Sequence, residues 1–388
     1  MSEEIKNATQ VAELEKIEKI KVSLDRIVNK KSKFLFCVPE STNPVASVYE
    51  LYFHATVVKN MGYEVIIMVE KGDYVIPVWI EKELTNHKHV PMSDPKLTVG
   101  PEDIMIIPEV FSNVMEQTKN LPCVRIGLLQ SVDYMINSLI PGTDWSSFGI
   151  YDIITTSPTL KEWIDVFYGK KFNIKTYNIG IPEYFERSNI PQKPIISVIG
   201  RNANEISKFV KLFFCKYPQY SWVTFDPMVT KSKPPQPMRR VDFAKRLQGN
   251  FAAVWIDRIA SFGTFPLECM KSGTIPICLK PDIMPEYMIE RDENGTPIKA
   301  VEGAGVWTDN YYDLPVLAGD VLVKFLDDNI SPELYDLMEK NASKYNQNDS
   351  EKQLVEIYSN YITQRINLFQ NVIQPIQETN IIEPPAVS

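Results

Sequence analysis

Apolar residues at the start of the chain recur every three or four positions. This spacing is typical of an amphipathic helix, because such positions share one helix face. Charged and polar residues separate the apolar positions, which are Val11, Leu14, Ile17, Ile20, Leu24 and Ile27. The pattern predicts an N-terminal amphipathic helix within residues 1–31. Two roles stay open for residues 3–30: packing on the body of the protein, or contact with a partner or a second copy of the chain.

A different pattern begins at residue 32, where short apolar runs alternate with helical periodicity. The run FLFCV (34–38), a helix from about Val45 to Met61 and the run EVIIMVE (64–70) make a strand–helix–strand unit. Further apolar runs, each predicted to be a strand, occupy residues 103–108, 123–130, 152–157 and 175–181. Alternation of this kind builds a parallel sheet. The sequence therefore predicts an N-terminal Rossmann-like domain over residues 32–187.

The alternation restarts after the proline-bearing segment SNIPQKP (188–194). Apolar runs predicted to be strands lie at residues 195–201, 220–226, 252–257, 274–280 and 305–309. This second Rossmann-like domain is expected to span residues 188–349. A long helix over 350–373 and a flexible tail over 374–388 are expected to follow. The predicted fold class is thus α/β, with two parallel sheets whose carboxyl ends border one cleft.

Composition disfavours some classes of function but does not identify one. The chain has 388 residues, of which 44% are hydrophobic and 23% charged, as expected of a folded globular protein. Its formal net charge of −8 gives no sign of the basic face that standing nucleic-acid binding needs. The five cysteines include no CxxC pair, so we expect reduced thiols and no zinc cluster. With a charged N-terminus and no long apolar run, a cytoplasmic protein without a membrane span is expected.

The segment SFGTFPLECMKSGTIPICLK (261–280) carries the most informative chemistry. Gly263 permits a tight turn where a backbone approaches a ligand closely. The helix predicted from Thr264 offers N-terminal amides to a phosphate. Glu268, one turn into that helix, can accept two hydrogen bonds from a ribose diol. The alternative interpretation is a plain helix-to-strand connection in a Rossmann sheet, with Gly273 as the helix cap.

This segment resembles the donor-site signature of retaining GT-B glycosyltransferases. The residues that match in register are Phe262, Gly263, Leu267, Glu268, Met270, Gly273, Pro276 and Ile277. Its end, SGTIPICLK, is also similar to phage DNA α-glucosyltransferases. A second stretch, SVIGRNANEISKFVK (197–211), resembles the family element in which an arginine and a lysine bind the donor diphosphate. There Gly200 and Arg201 match well, while Lys208 follows the arginine later than the family lysine does.

The resemblance implies a glycosyltransferase that moves a sugar from a nucleotide-diphosphate sugar, with retention, to a glycan, a protein or modified DNA. It implies that Arg201, Lys208 and the amides at Gly263 and Thr264 bind the diphosphate, whose growing negative charge fixed cations stabilise. Glu268 would hold the ribose. No metal and no cofactor beyond the donor are expected. The first domain would hold the acceptor, and the last helix would cross back to it.

The chain departs from the family pattern on the sugar side. Ala260 stands where the family has the first of two glutamates, and Asp257 and Arg258 are the nearby candidate substitutes. Gln130 and Ser131 stand where many relatives have a histidine, so Gln130 is a candidate sugar ligand. Two alternatives therefore stay open. One is a non-catalytic GT-B-like scaffold or assembly protein that retains nucleotide binding, and the other is a sugar-nucleotide epimerase.

Overall fold

The first half of the chain forms a seven-stranded sheet in which every pair of neighbours is parallel. The computed structural model describes residues 3–41, 44–226, 238–259, 261–291, 293, 297–300 and 305–379. The strands, in the spatial order β3-β2-β1-β4-β5-β6-β7, are β1 Lys33–Cys37, β2 Glu64–Val69, β3 Lys88–Pro91, β4 Ile104–Pro108, β5 Val124–Leu129, β6 Asp152–Thr155 and β7 Asn173–Thr176. The helices of this half are α1 Glu3–Val28, α2 Ala46–Asn60, α3 Lys82–Thr85, α4 Ser112–Gln117, α5 Val132–Ser138 and α6 Pro158–Tyr168.

The second half repeats this architecture with a five-stranded parallel sheet in the order β14-β11-β10-β8-β9. Its strands are β8 Lys193–Gly200, β9 Thr224–Asp226, β10 Asn250–Ile256, β11 Ile275–Leu279 and β14 Val306–Thr308, and an antiparallel hairpin of β12 Ile289–Arg291 and β13 Pro297–Ala300 is inserted before β14. The helices are α7 Ala203–Lys216, α8 Arg240–Gln248, α9 Thr264–Ser272, α10 Leu314–Leu326, α11 Pro332–Ala342 and α12 Gln347–Thr379. The expected fold class, two Rossmann-like units, is confirmed.

The strands are apolar on both faces because helices cover both sides of each sheet. In β1, Phe34 and Phe36 enter one hydrophobic core while Leu35 and Cys37 enter another, as the two-residue period of a strand requires. The first of these cores continues into the second domain, where it includes Phe251 of β10. The two domains therefore share a continuous apolar interior on one side of their junction.

The first and last helices both pack on the first domain. The second half of α1 buries Ile17 and Ile27, and Arg26 pairs with the buried Glu102 at 2.8 Å. In α12, Tyr358 packs edge-on against Phe34, with ring centroids 5.7 Å apart. Its hydroxyl also lies 2.8 Å from Nδ1 of His54 in α2.

Several boundaries differ from the sequence-based expectations. Helix α12 begins at Gln347 and continues to Thr379, so residues 374–379 are helical where a flexible tail was expected. Residues 380–388 lie outside the described residues. The short strand β3 escaped the pattern because only Val90 in it is buried. The proline-rich stretch KSKPPQP (231–237) also lies outside the described part of the chain.

All five cysteines are free; Cys215 is exposed and the other four are buried. Among the described residues, no group of three His, Cys, Asp or Glu side chains is arranged to hold a metal ion. No helix in the described ranges combines the length and the apolar character that crossing a membrane requires.

Candidate active site

The two domains meet where the strands of both sheets end. The backbone N–H of Val132, which follows β5, donates to the hydroxyl oxygen of Ser261, which follows β10, at 3.0 Å. The hydroxyl of Thr159, after β6, donates to the carboxylate of Glu286, after β11, at 2.6 Å. Open parallel sheets bind their ligands at this edge. The interdomain junction at these carboxyl ends, called the cleft below, is therefore the candidate site.

Arg201 stands in this cleft at the end of β8. It follows Gly200, where a Cβ atom would lie 3.1 Å from the carbonyl oxygen of Ile256 in the neighbouring strand. The guanidinium donates through Nε to Oδ2 of Asp257 at 2.7 Å and through Nη1 to the hydroxyl of Tyr134. The two partners belong to different domains, so Arg201 is fixed between the walls of the cleft.

Two carboxyl groups interact with this cation, those of Asp133 and Asp257. Burial raises the pKa of Asp133 in α5, the charge of Asp282 raises it further, and Arg201 opposes them. Asp257 pairs directly with the guanidinium. A diphosphate that binds Arg201 therefore has to displace Asp257 or share the planar guanidinium with it. Asp257 is thus the ion-pair partner of Arg201, and any anion that binds Arg201 competes with it.

The turn before α9 is built around Gly263. Its φ of +67° is in the left-handed region, and a Cβ atom there would lie 2.5 Å from Cη2 of Trp255. The hydroxyl of Tyr287 donates to the carbonyl oxygen of Gly263 at 2.8 Å. Phe262 is buried and packs edge-on against Tyr287, so it supports the turn from the core side. Thr264 then begins the helix and is also buried.

Glu268 is buried beside the cleft, and its carboxylate already has a cationic partner. Nη2 of Arg240, at the start of α8, donates to Oε1 of Glu268 at 2.6 Å, and the two side chains are 9% and 8% exposed. The guanidinium carbon of Arg240 lies 3.7 Å from the ring centroid of Tyr49, which belongs to α2 of the first domain. A ribose that binds Glu268 would have to replace or share Arg240.

A second buried carboxyl group lies next to this pair. Glu50 accepts a hydrogen bond from the hydroxyl of Tyr177 at 3.1 Å. Burial raises the pKa of Glu50 to about 7, the charge of Arg240 and the Tyr177 bond lower it, and the charge of Glu268 raises it again. The charge of Arg240 thus acts on both Glu50 and Glu268, although only Glu268 is hydrogen-bonded to it.

Gln130 connects the first turn of α2 with the loop that follows β4. Its side-chain Nε2 donates to the carbonyl oxygen of Ser47 at 3.2 Å, and its backbone N–H donates to Oε2 of Glu109 at 3.3 Å. Burial raises the pKa of Glu109 to about 8, although backbone N–H groups, including those of Gln130 and Ser131, oppose the shift. The hydroxyl of Ser131 is buried with no hydrogen-bond partner among the described residues. The buried residues Gln130 and Ser131 directly precede Val132, whose backbone N–H bonds Ser261 of the second domain.

Lys208 lies among aromatic side chains. Its Nζ donates to the hydroxyl of Tyr312 at 2.8 Å and stands 4.4 Å from the centroid of that ring and 5.0 Å from that of Tyr311. These contacts hold Lys208 beside the segment after β14, and none of them includes Arg201. Two further cations lie just after strands of the second domain, Arg258 after β10 and Lys280 after β11. Arg258 donates to the carbonyl oxygen of Asp309, and Lys280 pairs with the Asp309 carboxylate at 3.3 Å. Ala260 lies outside the described residues.

Solved structures of other proteins share this architecture. Sucrose-phosphate synthase from Thermosynechococcus elongatus superposes with a TM-score of 0.58 over 86% of this chain and 100% of its own, at 12% identity. The pneumococcal O-GlcNAc transferase GtfA, solved with UDP and GlcNAc, gives 0.56 over 86% and 99%, at 7% identity. A glycosyltransferase from Rickettsia africae gives 0.52 over 88% and 99%, at 13% identity.

The fold is that of GT-B glycosyltransferases. No family model and no curated relative matches the sequence, so the likeness is one of fold alone. Sequence patterns singled out Arg201 and Glu268 as candidates but did not reveal their partners Tyr134 and Arg240. Arg240 opens a helix that directly follows a proline-rich stretch, and that position is the only sequence signal it offers. Tyr134 carries no sequence signal of this contact, because its partner Arg201 is 67 residues away.

Proposed function

We propose that the protein is a glycosyltransferase that moves a sugar from a nucleotide-diphosphate sugar to an acceptor with retention. The observation that supports this most strongly is the position of Arg201. It stands at the carboxyl end of β8, its Nε is 2.7 Å from Asp257, and its Nη1 reaches Tyr134 of the facing domain. A cation fixed in this place stabilises the negative charge that a departing diphosphate acquires.

The rest of the second domain supplies the other donor contacts in this proposal. The backbone N–H groups at Gly263 and Thr264 begin α9 and can bind a phosphate oxygen. Glu268 would accept hydrogen bonds from the ribose hydroxyls once its carboxylate is no longer bound to Arg240. The departing diphosphate can accept the proton of the acceptor hydroxyl, so the reaction needs neither a protein base nor a metal ion. That GtfA was solved with UDP supports a uridine nucleotide as the first donor to test.

The acceptor would bind the wall of the first domain. Gln130 and Ser131 follow β5 there, and Asp133 lies in the first turn of the next helix, α5. Amide, hydroxyl and carboxyl groups of this kind bind hydroxyl-bearing molecules by directed hydrogen bonds. A net charge of −8 favours a glycan or a protein over DNA as the acceptor, because phosphate backbones attract basic surfaces.

A second candidate is a GT-B-like protein that binds nucleotide without catalysing transfer. One structural observation favours it: the carboxylate of Glu268 is 2.6 Å from Arg240 in a buried ion pair. The sequence adds that Ala260 replaces the first glutamate of the family signature. Such a protein would act through its surfaces, for example as part of an assembly.

Calorimetric titration with UDP, GDP and ADP tests the donor site, and incubation with the matching sugar nucleotides tests turnover. We expect one nucleotide to bind and Arg201→Ala to weaken it by about tenfold or more, the loss typical of a charged hydrogen bond. Lys352→Ala is the control, because Lys352 is 77% exposed on α12. Binding without hydrolysis or transfer supports the second candidate. Absence of binding by all three nucleotides refutes both.

A further inference from the structure

Arg240 connects the predicted ribose carboxylate to the first domain. Its Nη2 is 2.6 Å from Oε1 of Glu268, and the face of its guanidinium lies against the ring of Tyr49 at 3.7 Å. Its backbone N–H also donates to the carbonyl oxygen of Trp79 at 3.1 Å. Glu268 and Arg240 belong to the second domain, whereas Tyr49 and Trp79 belong to the first. Arg240 therefore contacts groups of both domains.

The first domain covers the pair, because the ring of Tyr49 lies over Arg240 and both charged side chains are buried. Burying two charges costs several kcal/mol of hydration, which mutual attraction and further hydrogen bonds have to offset. Nη1 of Arg240 is buried and has no hydrogen-bond partner among the described residues, so this offset is incomplete. Tyr49 replaces part of the lost hydration by a cation–π contact. Separation of the domains would remove that contact and hydrate both charges.

Titratable groups of the first domain interact electrostatically with the Arg240–Glu268 pair. Glu50 of α2 is close enough to both members for Arg240 to lower its pKa and Glu268 to raise it, although burial has the largest effect. The phenols of Tyr49 and Tyr184 also interact with the Arg240 charge. All three of these groups, Tyr49, Glu50 and Tyr184, come from the first domain. The charge balance of the pair thus depends on domain closure.

We propose that Arg240 is an interdomain latch that occupies Glu268 in the closed protein and releases it when the cleft opens. The latch holds the domains together through Tyr49 and keeps the Glu268 carboxylate from a nucleotide. Its effect on nucleotide binding rests on the proposed function, whereas its effect on domain closure does not. The ligand it excludes is the ribose of a nucleoside diphosphate.

Spin-label distances in the ligand-free protein test the latch directly. Cys215 is exposed on α7 of the second domain, and Val166→Cys adds a label site on α6 of the first, where Val166 is 79% exposed. The other four cysteines are buried. Tyr49→Leu removes the interdomain contact and leaves the ion pair, and Arg240→Met with Glu268→Gln removes the pair without leaving a buried charge. Lys352→Ala is the exposed control.

We expect a longer and broader distance between the labels in both latch variants, and an unchanged distance in the control. Unchanged distances in the two latch variants would overturn the proposal. Opening in only one of them would overturn it as well, because a latch needs Arg240 and Tyr49 together. Circular dichroism of each variant confirms that the domains themselves remain folded.

UDP titration of Tyr49→Leu then tests access to Glu268. When a closed state excludes the ligand, the apparent affinity of the protein for that ligand is proportional to the fraction of molecules in the open state. We expect UDP to bind Tyr49→Leu at least about threefold more tightly than the wild type. Equal or weaker binding refutes the block on Glu268. If no form of the protein binds UDP, the proposed function and the block on Glu268 fail together, and the spin-label distances still decide whether Arg240 holds the domains closed.

Discussion

The guanidinium carbon of Arg201 lies 5.3 Å from the ring centroid of Tyr134, so a cation of the second domain stacks on an aromatic ring of the first. The same side chain pairs with Asp257 at 2.7 Å. Arg201 is thus oriented before any ligand arrives, and its planar group is presented to the cleft in a fixed direction. This arrangement gives a specific expectation for its replacement by lysine.

Arg201→Lys keeps the positive charge but loses the planar group that serves two partners. A single ammonium cannot bond Asp257, Tyr134 and a diphosphate with the same geometry, so we expect the dissociation constant of UDP to rise about tenfold. Uridine, which carries no phosphate, is the matched ligand and should be unaffected in affinity. Calorimetry with both ligands measures the difference. Equal losses for UDP and uridine would show that Arg201 acts on the fold and not on the phosphates.

Gly263→Ala should destabilise the protein far more than Gly142→Ala. Both glycines have φ in the left-handed region, +67° and +82°. A Cβ atom at Gly263 would lie 2.5 Å from Trp255, whereas one at Gly142 meets no atom within 4 Å. The shared backbone strain costs about 1 kcal/mol, and we expect the clash to add roughly 2 kcal/mol more at Gly263. Urea unfolding of the two variants checks this, and equal values would contradict the packing described for the turn.

Tyr358→Phe and Tyr361→Phe make a matched pair on α12. The hydroxyl of Tyr358 is 2.8 Å from Nδ1 of His54, while that of Tyr361 is buried with no hydrogen-bond partner among the described residues. Loss of the first hydroxyl leaves a buried imidazole nitrogen unsatisfied and should lower the free energy of unfolding by about 1–2 kcal/mol. Loss of the second should have no effect or raise it. Thermal unfolding distinguishes them, and the reverse order would show that α12 is packed differently.

Glu109 predicts a pH dependence of stability. Burial raises its pKa from 4.5 to about 8 in the folded state. Between these values the folded protein keeps a proton that the unfolded chain has lost, so the contribution of Glu109 to stability falls as pH rises. Glu109→Gln should therefore raise the free energy of unfolding at pH 8 by on the order of 2 kcal/mol, and by much less at pH 5. Urea unfolding at both values measures this, and a pH-independent difference would refute it.

Part of the candidate site followed from local sequence and part did not. The glycine-led turn and the helix from Thr264 were predictable because Gly263 and Gly273 cap one short element at both ends. The contact of Glu268 with Arg240 joins residues 28 apart, across a strand and a loop, so no periodicity reveals it. Lys208 fits the expected motif by type, yet the tyrosines after β14 hold it. Its place depends on a segment 104 residues away.

The sequence by itself determined the two-domain α/β architecture, because buried parallel strands require apolar runs and the helices between them require a period near 3.6. It also placed Arg201 and Gly263 at the ends of particular strands. Only the tertiary structure decided that Arg201 meets Tyr134, that Glu268 is paired with Arg240, and that Tyr49 covers the pair. Those contacts depend on how two separately folded sheets approach each other, and that approach is set by the packing of whole surfaces, which no short stretch of sequence encodes.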